Sequence, residues 1–153
     1  MLDQARKFVK AIEGHRLDYA IKSNGLDLYD FGFGEEHNVF NKKTNEIRTL
    51  PPYCVHAMCN FSIRMSSGAE FFFDADVSSE EFKLIEKKIC GRTVLKADVT
   101  ESHHLIIQLE DITFDFIPHP PEYYGEDVES WRFFQFGGKS EHLVVSALTI
   151  ELQ

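Results

Sequence analysis

Cys54, His56 and Cys59 fall within one short stretch and are the side chains best suited to hold a metal or act as a nucleophile. Their surroundings alternate. Tyr53, Val55, Ala57, Cys59, Phe61, Ile63 and Met65 take the odd positions, and Cys54, His56, Met58, Asn60, Ser62 and Arg64 the even ones. That period predicts a single long strand, on which residues five apart point to opposite faces. One zinc ion cannot then take both thiolates. Cys54 and His56 share a face but stand ~6.6 Å apart along it, and a nucleophile–base pair needs closer contact and a third orienting group. His103 and His104 are adjacent and, with Glu101 and His119, offer two or three ligands, but without the i, i+2 or i, i+4 spacing of His-rich sites. Asp74 and Asp76 share a face of a predicted strand, as acid–base chemistry needs, with no evident cleft to hold them. Asp30-Phe31-Gly32-Phe33-Gly34 lacks the lysine of a phosphate loop, and no His-Arg-Asp loop accompanies its kinase-like triplet. Its alternate glycines are read as places where a backbone or a ring packs closely. These residues assign no catalytic residue, no cofactor and no metal.

Charge is the stronger signal. The chain has 153 residues, with 16 Lys and Arg against 25 Asp and Glu, for a net charge of −9. The whole excess lies in residues 98–131, which hold Asp98, Glu101, Glu110, Asp111, Asp115, Glu122, Glu126, Asp127 and Glu129 and no Lys or Arg. Such a block repels nucleic acid and anionic membrane and attracts a basic protein. The plainer reading is a solvated face that aids solubility. From Pro118 to Trp131 the acids are mixed with Tyr123, Tyr124 and Trp131, the make-up of an interface hot spot. Glu122, Tyr123, Tyr124, Glu126, Asp127, Glu129 and Trp131 are therefore the expected partner-binding residues. An ordinary connection stiffened by prolines is the competing reading.

The elements that must position these residues can be read in outline. Leu2, Ala5, Val9 and Ile12 form one stripe of a helix over 2–13, stopped at Gly14. Asn24-Gly25, between short apolar runs, predicts a type I′ hairpin turn. Residues 35–52 are polar, end in Pro51-Pro52 and read as a loop. After Tyr53–Met65, Ser66-Ser67-Gly68 suits a three-residue hairpin loop, and Ala69–Asp76 returns with Phe71 and Phe73 inward. Ser78 with Glu81 makes a capping box for a helix whose stripe is Phe82, Ile85 and Ile89. Strands follow over Thr93–Val99, His104–Leu109, Ile112–Ile117, Trp131–Phe136 and His142–Leu152, the last with a bulge near Ser146-Ala147. The order predicts one α+β domain over 1–153, a predominantly antiparallel β-sheet with an N-terminal helix and one internal helix.

Leu28-Tyr-Asp-Phe-Gly-Phe-Gly34, His56, Cys59-Asn-Phe-Ser-Ile63, Ser130-Trp-Arg-Phe-Phe134 and His142-Leu-Val-Val145 occur in an order that resembles a group of small uncharacterised bacterial proteins of about this length. Some small acidic proteins of this kind resemble immunity proteins, which neutralise a toxin domain encoded beside them. That resemblance implies a non-enzymatic binding module whose partner is a basic, nuclease-type toxin domain. The alternative is a small enzyme or ligand-binding domain with a Phe-lined cleft, served by His103, His104 or the Asp74/Asp76 pair. A homodimer stays open as well. No apolar run approaches the ~20 residues of a membrane span, and the N-terminus lacks the apolar stretch of a secretory signal. The expected location is therefore cytoplasmic, which suits unpaired cysteines.

Overall fold

The computed structural model describes residues 1–23, 25–136 and 141–153. It is an α+β fold of mostly antiparallel strands, as the sequence pattern requires. Helix α1 (Leu2–Val9) continues into a 3-10 turn over Lys10–Ile12, and its stripe buries Ala5, Val9 and Ile12. Strands β1 (Leu17–Lys22) and β2 (Tyr29–Phe33) pair as a hairpin. Their register pairs Lys22 with Tyr29, so the connection is six residues long and not the two-residue turn expected at Asn24-Gly25. Asn24 itself lies outside the described residues. The stretch read as a loop instead forms a separate ribbon, β3 (His37–Asn41) with β4 (Glu46–Leu50). It buries no residue fully, so it carries none of the inside–outside pattern by which strands are recognised.

The predicted long strand is two strands. β5 (Tyr53–Ala57) pairs with β2 and with β11 (Glu129–Gln135), whereas β6 (Asn60–Met65) pairs with β7 (Glu70–Phe73) and with β10 (Ile112–Ile117). Between them, the N–H groups of Met58 and Cys59 both donate to the Ser130 carbonyl, at 2.9 and 3.0 Å. The alternation survives this break because both strands turn their odd positions into the same core. Ser66–Gly68 forms the expected three-residue loop, with Gly68 at φ +95°.

After α2 (Ser79–Ile89) come β8 (Val94–Val99) and β9 (Leu105–Leu109); β9 lies beside β10, and β8 pairs with β9 at the edge. The Ser78 hydroxyl accepts from the Glu81 N–H at the start of α2. A short helix α3 (Pro121–Tyr124) precedes β11. The final segment is β12 (Glu141–Ser146) and β13 (Ile150–Leu152). The parity change near Ser146 is thus a chain reversal and not a bulge. One sheet runs β1-β2-β5-β11-β12-β13 and the other β7-β6-β10-β9-β8. Their inner faces share one aromatic core, in which Phe31 of β2 meets Phe61, Phe114 and Phe116 edge to face at 5.4–5.5 Å. Phe82 of α2 closes over Tyr29 and Phe61.

Phe71 departs from its predicted place and is 46% exposed. β7 is an edge strand, and α2 reaches over Phe73 but leaves Phe71 bordering a shallow apolar groove with Ile85 and Ile89.

Candidate functional site

The segment expected to bind a partner is a braced projection. Pro121 opens α3 and Gly125, at φ +73°, ends it. The His119 N–H donates to the Ser130 hydroxyl at 2.9 Å, and the His119 ring lies 4.7 Å from that of Tyr124. Tyr123 and Tyr124 pack edge to face at 5.1 Å yet stay 82% and 47% exposed. Glu122 and Glu126 flank them and are also exposed.

The other three expected contacts serve the fold. Asp127 accepts from the Ser146 hydroxyl at 2.5 Å and from the Leu148 N–H at 3.2 Å, so it caps the β12–β13 turn. Glu129 chelates Arg132 with contacts of 2.7 and 2.9 Å. Trp131 is wholly buried, and its Nε1–H donates to the His103 carbonyl at 2.9 Å. β11 lies between β5 and β12 in the middle of its sheet, and Trp131 is on its inner face, so it cannot be a surface anchor.

The acidic block also disperses in space. Asp98 faces Arg6 at 3.4 Å, Asp111 faces Arg92 at 2.5 Å, and Asp115 meets His104 at 2.7 Å. The bases absent from residues 98–131 come from elsewhere in the chain: Arg6 from α1 and Arg92 from the connection between α2 and β8. Asp111 is held below the usual carboxylate range chiefly by its hydrogen bond from Arg92. What remains of the block near the tyrosines is Glu122 and Glu126.

The alternative candidates are not gathered into a site. His103 Nδ1 bonds to the Ser146 carbonyl at 2.9 Å, and His104 pairs with Asp115. Asp74 accepts from the Asp76 N–H, which makes a turn beyond the end of β7 and not a carboxylate pair on a strand. The buried phenylalanines fill the core, so no Phe-lined cleft opens there. Among the described residues no group of three or more His, Cys, Asp or Glu is placed to hold a metal ion.

A polar cluster that the sequence reading missed lies on the outer face of the six-stranded sheet. Tyr19 Oη is 3.3 Å from both Asp30 and Cys54 Sγ, and His56 Nε2 is 3.4 Å from Asp30. The His56 ring packs on Phe134 at 4.5 Å, and Phe134 on His142 at 4.3 Å. Beside this row is a concavity of about 470 Å³, bordered by Leu26, Asp27, Met58 and Arg132. Burial pushes the Cys54 thiol up to about 12, and burial together with Cys54 and Asp30 pushes the Tyr19 hydroxyl up as well. Cys54 therefore stays a thiol at neutral pH and is not an activated nucleophile. No family model, curated protein or solved structure matches this chain.

Gly32 makes the cluster possible. A Cβ there would sit 2.2–2.7 Å from three atoms of the Tyr19 ring, which crosses the strand at that point. Gly34 is likewise covered, with Pro52 Cγ 2.5 Å from its would-be Cβ. Both alternate glycines are thus sites of close approach, as read from the sequence. Gly32→Ala is expected to push Tyr19 off Asp30 and Cys54 and to cost about 1–3 kcal/mol in chemical denaturation. An unchanged midpoint would remove this role.

Two histidines give the fold a pH dependence. His119 is lowered from 6.5 by burial, and His142 by burial and then by Arg132 and His56. Below pH 6.5 the unfolded chain takes up protons that these folded imidazoles refuse, so stability falls as pH falls. Urea midpoints measured from about pH 7 to about pH 5.5 should decline, and a His119→Asn/His142→Asn variant should flatten that slope. Equal slopes would refute the assignment.

Proposed function

We propose that this chain is a non-enzymatic protein-binding module whose contact face is built on Glu122, Tyr123, Tyr124 and Glu126. One observation carries the reading: two tyrosines and two carboxylates stand exposed together on a short projection. Tyrosine is enriched among the residues that dominate binding energy. The projection is already held by prolines, by His119 and by Asp127, so little ordering is needed when a partner docks. Its charge favours a basic protein. A nuclease-type toxin domain, which carries Lys and Arg to hold phosphates, is the partner suggested by the resemblance to small acidic immunity proteins. No helix of the described residues is long and apolar enough to cross a membrane. Three free thiols suit a reducing compartment, and we assign the cytoplasm on that ground.

The dispersal of the acidic block narrows the test to two carboxylates. The partner is to be sought in the product of the adjacent gene and by capture from the native host at low and high salt. Against that partner, Glu122→Lys/Glu126→Lys should slow association several-fold at low salt and change dissociation less. Tyr124→Ala should act mainly on dissociation and cost about 1–3 kcal/mol. Neither variant should move the unfolding midpoint, since these side chains are exposed. Wild-type binding by both variants would reduce the segment to a solvated face.

A further inference from the structure

A concavity of about 870 Å³ lies away from α3, between the β3–β4 ribbon and the outer face of the six-stranded sheet. Its two walls differ in chemistry. The ribbon wall carries Lys42, Lys43 and Arg48. Over residues 37–50 these three bases meet one acid, Glu46, in a chain whose net charge is −9. Val39 is the direct cross-strand partner of Arg48 and adds an apolar step beneath it. The sheet wall carries Phe136 and His142. These rings are fixed. Phe136 stacks on Phe134 at 5.7 Å and 11°, its N–H donates to the Pro52 carbonyl at 2.8 Å, and His142 packs edge-on to Phe134.

Cations on one wall of a cleft and a rigid aromatic surface on the other match a ligand with an anionic end and a planar ring. Lysine and arginine bind phosphate oxygens, as a point charge and as a fork respectively. A nucleobase stacks on an aromatic side chain whatever its sequence identity. The volume falls within the roughly 300–1,000 Å³ of small-molecule sites. The surrounding negative charge opposes a long polyanion but not one compact anion held between the walls. We propose that this cleft binds a nucleoside phosphate, with its phosphates on Lys42, Lys43 and Arg48 and its base against Phe136 and His142.

A two-stranded ribbon is marginal on its own. A ligand that bridges it to the sheet should therefore slow amide exchange in β3 and β4, a signature that adhesion to surface lysines alone does not give. The test uses the full chain titrated by calorimetry with ATP, with inorganic triphosphate and with adenosine, with hydrogen exchange followed at saturating ATP. The expected result is saturable ATP binding, about tenfold or more tighter than either fragment. Affinity should fall by about tenfold or more in Lys42→Ala/Lys43→Ala/Arg48→Ala, all exposed positions, and several-fold in Phe136→Leu. Exchange in β3 and β4 should slow when ATP binds. Absence of saturable ATP binding, equal affinity for triphosphate, or a triple variant that binds as well as wild type would each overturn the proposal. None of these outcomes bears on α3, so this proposal and the protein-binding reading stand or fall separately.

Discussion

Phe61→Ala is expected to destabilise the protein by about 3–5 kcal/mol, and Phe71→Ala, on the neighbouring β7, by no more than about 1 kcal/mol. Phe61 is wholly buried on β6. Its ring contacts Tyr29 at 4.7 Å, Phe73 at 4.9 Å and Phe116 at 5.3 Å. It thus joins residues from both sheets, and Phe82 brings in α2. Truncation removes the transfer free energy of the ring and leaves a cavity that rings held on three elements cannot close. Phe71 is on the same sheet face, opposite Ile63, but beyond the reach of the helix. Urea denaturation of the two variants side by side measures the contrast. A small loss at Phe61, or an equal loss at Phe71, would place the core elsewhere.

That pair also shows how far periodicity carries. The inward parity of residues 53–65 was legible because burial repeats every two residues in any strand. Which strand sits alongside was not, because pairing partners leave no local mark. The break at Met58 and Cys59, and the edge position that exposes Phe71, both depend on partners far away in the chain. The β3–β4 ribbon was illegible for the opposite reason: Phe40 and Ile47 pair across it while both remain exposed, so apolar and polar positions share one environment.

The candidate sites divide along the same line. Glu122, Tyr123 and Tyr124 are neighbours on α3 and Glu126 follows just beyond its Gly125 cap, so composition was enough to find them. The long acidic block was misleading, because a run of carboxylates says nothing about the bases that other elements bring to it, such as Arg6 to Asp98 and Arg92 to Asp111. The outer-face cluster needs Tyr19, Asp30 and His56 from three adjacent strands. Its local traces were Cys54 and His56, read as sharing one face, and Gly32, read as a place where a ring packs.

Trp131→Ala is expected to cost about 3–5 kcal/mol, and Trp131→Phe about 1–3 kcal/mol. Composition alone puts this residue among the partner contacts, since tryptophan beside acids and tyrosines is what an interface core contains. Its place on β11 dictates otherwise. The strand is flanked on both sides, with Trp131 opposite Ala57 on β5 and Val145 on β12. The alanine variant loses the largest fully buried side chain of the protein. The phenylalanine variant keeps most of the bulk but leaves the half-buried His103 carbonyl without its 2.9 Å partner, and an acceptor shut off from water in part carries part of the cost of its lost solvation. Trp131 is the only tryptophan, so its own fluorescence reports on the wild type. Native emission should be blue-shifted and protected from acrylamide, and both properties should vanish with the unfolding transition. An interface anchor behaves in the reverse manner: quenchable in the free protein, shielded by a partner, and replaceable by phenylalanine without loss of stability. If Trp131→Phe weakens partner binding while the unfolding midpoint stays at its wild-type value, the residue belongs to the contact face after all. If the midpoint falls and Tyr124→Ala alone changes dissociation, the boundary between core and contact face runs between Glu126 and Asp127.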